Sequence, residues 1–151
     1  MTELKTVEHV DVSRYMGTWY EIARFDQWFE RGLVGVTATY KLLDNGKVDV
    51  LNAGRKGTLD GKLKTAHGKA KIADRQTNAK LKVTFFWPFY GDYWIIGLGK
   101  DYEYAVVGEP KRKYLWILSR SPKLDPAVYS AIVEKIKAAG YDLTKLELTP
   151  Q

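Results

Sequence analysis

Gly17-Thr18-Trp19-Tyr20 is the stretch that decides the fold. It follows a short polar segment, Asp11-Val12-Ser13-Arg14-Tyr15-Met16, and opens a run to Phe25 that alternates in size and polarity. A glycine lets the backbone turn tightly out of a preceding helical turn. The indole of Trp19 then points inward and can plug one end of a β-barrel. Working outward, alternating stretches recur at 34–42, 47–53, 65–72, 80–86, 93–99, 104–108 and 114–119, roughly one per ten residues. Asp44-Asn45-Gly46 between the second and third is a strong hairpin signal, because its turn type needs positive φ at both central positions. Eight sequentially paired antiparallel strands remove their edges by closing, and a barrel of eight is just wide enough for one small ligand. A two-sheet sandwich is disfavoured by the local hairpin connections.

One helix stands apart from the strands. Asp125 reads as its N-cap, Pro126 as its first residue, and Gly140 as its stop. Val128, Ile132 and Ile136 form one apolar stripe, so the helix must pack on the outside of the sheet. The expected architecture is all-β: an eight-stranded antiparallel up-and-down barrel with a short N-terminal 3-10 turn and one C-terminal helix packed outside. A single domain spans 1–151, with the barrel at about 17–120, the helix at about 126–139 and a short strand at about 145–148.

Composition narrows the function. The 151 residues include five Trp and ten Tyr, which demand a large core or an apolar cavity to line. Cysteine is absent, which removes disulfides, thiolate nucleophiles, Cys-ligated zinc and a lipid-acceptor Cys together. No apolar run reads as a transmembrane helix, and none near Met1 as a signal peptide. The net charge of +6 permits attraction to an anionic bilayer, to nucleic acid or to acidic ligands, and names none of them. The two histidines, His9 and His67, fall in the N-terminal tail and on an outward parity. Glu21 shares the inward parity of Trp19, but one acid is not a mechanism. The chain therefore reads as a binding protein and not as an enzyme, with no cofactor and no metal.

Three separated motifs resemble the lipocalins: Gly17-x-Trp19-Tyr20, Lys100-Asp101-Tyr102, and Arg120 closing Trp116-Ile117-Leu118-Ser119-Arg120. Longer matching stretches are 17–25, Phe29-Glu30-Arg31-Gly32-Leu33, 36–40 and Pro88-Phe89-Tyr90-Gly91. They are similar to the bacterial lipocalins of the outer-membrane lipoprotein type and to the apolipoprotein D group. The resemblance implies that Gly17, Trp19, Asp101, Tyr102 and Arg120 form the closed end, with Arg120 over the indole. It also implies a pocket at Tyr40, Asn52, Trp94 and Trp116. A periplasmic or outer-membrane location follows by resemblance. The absent acceptor Cys keeps a cytoplasmic or trimmed form open.

Alternation extends the inner wall to Ala66, Gly68, Val83, Phe85, Tyr104 and Leu118. The small run Ala66, Gly68, Ala70 leaves room, and Tyr40, Asn52 and Tyr104 serve as polar handles. The mouth falls to loops carrying Trp28, Phe29, Trp87 and Phe89 and the cations Arg55, Lys62, Lys111 and Arg112. An apolar lip with a basic collar suits an amphiphile with an anionic head, a fatty acid or lysophospholipid, and peripheral contact with an anionic membrane. A 16-carbon tail gains roughly 10 kcal/mol before ordering and association costs. A tetrapyrrole or pigment carrier is the alternative within the family. A nucleic-acid-binding barrel is the alternative outside it, disfavoured because the aromatics are not interleaved with Lys on one exposed face. A monomer or weak homodimer is expected.

Overall fold

The computed structural model describes residues 3–27, 30–86 and 89–151, with the backbone alone at Phe86 and Phe89. One helical turn, α1 (Val12–Tyr15), precedes eight barrel strands: β1 (Gly17–Phe25), β2 (Leu33–Leu42), β3 (Val48–Lys56), β4 (Leu63–Ile72), β5 (Lys80–Phe86), β6 (Phe89–Leu98), β7 (Tyr104–Gly108) and β8 (Leu115–Ser119). Then come α2 (Pro126–Ala138), a 3-10 turn (Leu143–Lys145) and β9 (Leu146–Leu148). Each barrel strand pairs antiparallel with the next, and β8 and β2 both pair with β1, which closes the barrel. The expected N-terminal 3-10 turn closes as an α turn instead. Tyr15 N donates to Asp11 O at 3.1 Å, and the Asp11 carboxylate accepts from Ser13 N and Arg14 N.

Beside the second half of β1, the place of β2 is taken by β9, with Ala23 opposite Leu148 and Phe25 opposite Leu146. The last residues stitch the opening between β1 and β2. Gly35 N donates to Pro150 O at 2.6 Å, and Gln151 Nε2 donates to both Glu21 O and Val36 O. β9 reduces the exposed edge of β1.

Two apolar clusters divide the molecule. Inside the barrel lie Trp19, Ala38, Tyr40, Val48, Val50, Ala70, Leu81, Ile95, Ala105, Val107 and Leu118. Outside it, α2 lays Ile132 and Ile136 on Ile22, Phe25, Val106, Leu115 and Ile117. The helix stands where the sequence places it because its ends are secured. The Asp125 side chain accepts from Ala127 N at 2.8 Å, and Gly140 at φ 94° supplies the left-handed stop.

This division corrects the inner wall in β6 and β7. Trp94, Ile96, Tyr104 and Val106 pack in the outer cluster, against the helix side, while Tyr93, Ile95, Ala105 and Val107 face the barrel interior. Both faces of these strands are buried, so both are apolar and alternation carries no direction. A further irregularity, Ile95 opposite Val107 but Gly97 opposite Val106, shifts the register within β6. The strand also begins at Phe89, so 89–92, expected as mouth loop, is sheet.

The small inward run reads differently too. A methyl at Gly68 would lie 2.4 Å from Thr84 O and 2.7 Å from the Phe85 ring. Phe85 already occupies the space that the glycine leaves. Gly68→Ala is therefore expected to lower stability by about 1–3 kcal/mol, read from urea denaturation, by overpacking against backbone.

Candidate functional site

The closed end is built around Trp19, which is fully buried. Its Nε1 donates to Tyr15 O at 2.9 Å, closing α1 onto β1. The Arg120 guanidinium lies 3.8 Å from the indole centroid and donates to Thr18 O (3.1 Å) and Arg14 O (2.7 Å). Gly17, at φ 99°, lets the chain pass beneath: a Cβ there would stand 3.3 Å from Arg120 Nη1. The Tyr102 hydroxyl accepts from Asp11 N at 2.8 Å, and Arg14 covers the Tyr102 ring at 4.2 Å. Asp101 is exposed and donates its N–H to Glu103. The N-terminal segment crosses this end, with Val7 N bonded to Ile95 O and Val10 N to Thr77 O.

Above the floor stand three tyrosines, and the sequence reading singled out only Tyr40. Tyr93 joins Tyr15 (2.7 Å) and Tyr40 (2.8 Å) hydroxyl to hydroxyl. Burial pushes all three well above the usual phenol range, so they remain neutral donors and acceptors. Tyr40 thus spends its hydroxyl within the floor.

The wall opens upward. On β4, Ala70 and Gly68 are buried while Ala66, on the same inner parity, is exposed. On β3, Val48 and Val50 are buried and Asn52 is half-buried; on β5, Leu81 is buried while Val83 and Phe85 are half-buried. The barrel is filled at the bottom and accessible toward the end of Ala66, Asn52 and Phe85. Trp116 and Leu118 face the same interior from β8. The structure therefore gathers Asn52, Ala66, Val83, Phe85 and Trp116 in the upper interior, Tyr40, Gly68 and Leu118 beneath them, and places Trp94 and Tyr104 outside.

The mouth cations do not form one collar. Arg112 donates from Nε to Ala139 O at 2.8 Å, at the end of α2, and from Nη1 to Pro110 O. Arg55 donates to Gly61 O across its hairpin. Lys62 and Lys111 are exposed. Trp28, Phe29 and Trp87, and the side chain of Phe89, lie outside the described residues.

The sequence reading missed the polar cluster near the mouth. β1 carries an irregularity between Glu21 and Ala23, which leaves Glu21 and Arg24 both buried. Arg24 Nη1 meets Glu21 Oε2 at 3.1 Å and Glu30 Oε2 at 3.4 Å, and its Nε meets Glu147 Oε1 at 3.1 Å. Thr149 Oγ1 donates to Glu21, while Gln27 Nε2 and Trp116 Nε1 both donate to Glu30 Oε1 at 2.8 Å. Gln27 Oε1 is buried with no partner among the described residues. One cation thus faces three carboxylates. Burial first, then the Glu30 carboxylate, hold the Glu21 carboxyl well above the usual range. Only the inward parity of Glu21 was readable.

A raised carboxyl makes a signed prediction. Folded protein keeps a proton on Glu21 that unfolded chain releases near pH 4.3. The associated stability is complete below that pH and is lost as pH rises through the raised value. Glu21→Gln is expected to raise the melting temperature at pH 8 relative to the parent, with the difference disappearing near pH 4.5.

Among the described residues no three His, Asp or Glu side chains gather as a metal site. His67 is tied to Asp49 at 2.7 Å on the outer wall.

The described geometry agrees with the comparisons. A Lipocalin-like domain model matches residues 10–151. The chain is 47% identical over 139 residues to the outer membrane lipoprotein Blc of Escherichia coli strain K12, covering 92% of this chain and 78% of that one. It is 35% identical over 154 residues to apolipoprotein D of Mus musculus, covering 95% and 78%. Insecticyanin of the tobacco hornworm Manduca sexta has the same fold, with a TM-score of 0.79 at 24% identity over 99% of this chain and 85% of that one. With its closed eight-stranded barrel, plugged floor and accessible upper interior, the chain belongs to the lipocalin family, whose members bind small hydrophobic ligands.

Proposed function

We propose that this protein binds and carries a single-chain amphiphile, with its hydrocarbon tail in the upper barrel among Val83, Phe85 and Trp116 and its head at the mouth. The observation that carries this reading is the inner wall that changes from buried to accessible as it rises from Ala70 to Ala66. Residues 1–151 act as one lipocalin domain, the envelope is its compartment by likeness to outer membrane lipoproteins, and the barrel does not catalyse.

The polar groups refine the head. The buried mouth cluster offers acceptors in Glu30 and in Gln27 Oε1, which has no partner among the described residues. A bare carboxylate would meet these acceptors, whereas a head with O–H or N–H donors complements them. The exposed Lys62 and Lys111 at the rim suit a phosphate. A lysophospholipid with an ethanolamine head satisfies both, which favours it over the fatty acid.

The test compares a 16-carbon lysophosphatidylethanolamine, palmitate and hexadecanol, read by tryptophan emission at low and high salt. The lysophospholipid is expected to bind at least about tenfold tighter than palmitate, the equivalent of one further hydrogen bond to a charged group. Palmitate binding as tightly, or tighter, would contradict the head-group assignment. Failure of all three would contradict the carrier reading.

A further inference from the structure

We propose that the bare side wall of the barrel carries a second binding site, for a phosphate group, in the groove where β4 and β5 part. The site opens on the outer face of the barrel, although Gly68, Ala70 and Phe85 of the inner wall also border it. α2 covers the outer faces of β1 and β6–β8, leaving the outer faces of β3, β4 and β5 uncovered.

Among the described residues β4 and β5 are paired from Lys69 opposite Thr84 down to Ile72 opposite Leu81. At the upper end of that ladder is a groove of about 350 Å³, lined on the outside by Lys47, Lys69, Lys71, Thr84 and Tyr90. Two features point to an anion. Lys71 stands directly opposite Lys82 on adjacent strands, and Asp92 neutralises Lys82. Asp49 stands opposite Lys69 in register but bonds to His67. No carboxylate is paired with Lys47, Lys69 or Lys71 among the described residues; Lys71 lies instead 4.4 Å over the Tyr90 ring. The second feature is the Thr84 hydroxyl. Thr84 lines this groove, and its hydroxyl oxygen is buried with no hydrogen-bond partner among the described residues.

A phosphate answers both. Its oxygens accept from the Thr84 hydroxyl and from the Lys ammonium groups, and its charge offsets the crowded cations. Strand scaffolding holds Lys69, Thr84 and Lys71 in fixed register, so the donors are positioned before a ligand arrives. The phosphate can belong to a bilayer head group or to a soluble phosphate compound, and the experiment separates the two.

Inorganic phosphate is titrated into ¹⁵N-labelled full-length protein, with chloride at matched ionic strength as control. Saturable shifts are expected at the amides of Lys69, Lys71, Thr84 and Tyr90. The apparent Kd should weaken by about fivefold or more in Lys69→Gln/Lys71→Gln, and also in Thr84→Val, but not in the α2 variant Lys135→Gln/Lys137→Gln. Co-sedimentation with phosphatidylcholine vesicles, with and without phosphatidic acid, forms the second arm. Binding to the acidic vesicles that is lost in Lys69→Gln/Lys71→Gln assigns the site to lipid heads. Phosphate binding with no vesicle binding assigns it to a soluble phosphate. Shifts equal to those in chloride, or unchanged in Lys69→Gln/Lys71→Gln, would overturn the site.

Discussion

Arg24→Met is expected to destabilise the protein by about 3–5 kcal/mol at pH 7, the loss seen when one partner of a buried ion cluster is removed. Arg24 is 5% exposed and, among the described residues, is the one cation bonded to Glu21 and Glu30. Methionine preserves the apolar stem of the side chain and removes the charge, so the cost falls on the carboxyl groups left without it. Burial already favours the protonated form of Glu21, which makes the loss smaller as pH falls. Urea denaturation at pH 7 and pH 5 checks both parts. Adding Glu21→Gln and Glu30→Gln to Arg24→Met should recover much of the loss, because no buried charge then lacks a partner. A loss below about 1 kcal/mol at pH 7 would mean that water reaches the cluster and screens it.

Trp19→Ala should cost a similar amount, about 3–5 kcal/mol, for a different reason. Its ring lies 5.1 Å from the Tyr15 ring between centroids and 3.8 Å from the Arg120 guanidinium. Truncation opens a cavity at the floor and leaves the Tyr15 carbonyl without its indole donor. It also removes the cation–π contact, about 0.5–2 kcal/mol in a partly desolvated site. The closed end is not remote from the Arg24 cluster: Glu21 follows Trp19 by two residues on the same face of β1. The two losses should therefore not simply add, and an interaction of about 0.5 kcal/mol or more is expected in the double variant. Denaturation of both single variants and the double measures it, and simple additivity would show that floor and mouth are independent.

The closed end was legible because its parts are local or strongly typed: a glycine with positive φ, an indole two residues on, and an arginine ending the last barrel strand. Strands β2 to β5 were legible because one face is bare. Lys69 and Lys71 alternate with Gly68 and Ala70, so the period of two has a direction. Strands β6 and β7 lost that direction, since Trp94 and Tyr104 lie under the helix side while Tyr93 and Ala105 line the interior. The Arg24 cluster was illegible for another reason. Glu21, Gln27, Glu30, Trp116, Glu147 and Thr149 come from widely separated parts of the chain, and an irregularity in β1 is needed to gather them. The helix end held a further surprise. Arg112, read as a mouth cation, bonds to the carbonyl of Ala139 after α2.

The central claim is that ligand enters the upper barrel and meets the inward set of residues. The direct measurement is a ¹H–¹⁵N and tryptophan side-chain NMR titration with 16-carbon lysophosphatidylethanolamine. Saturable shifts are predicted at Asn52, Ala66, Val83, Phe85 and the Trp116 indole, with the Trp94 indole and the Tyr104 amide nearly silent. Shifts concentrated at Trp94, Tyr104 and the α2 residues Val128 and Tyr129, with Trp116 unmoved, would place the ligand outside the barrel and contradict the account.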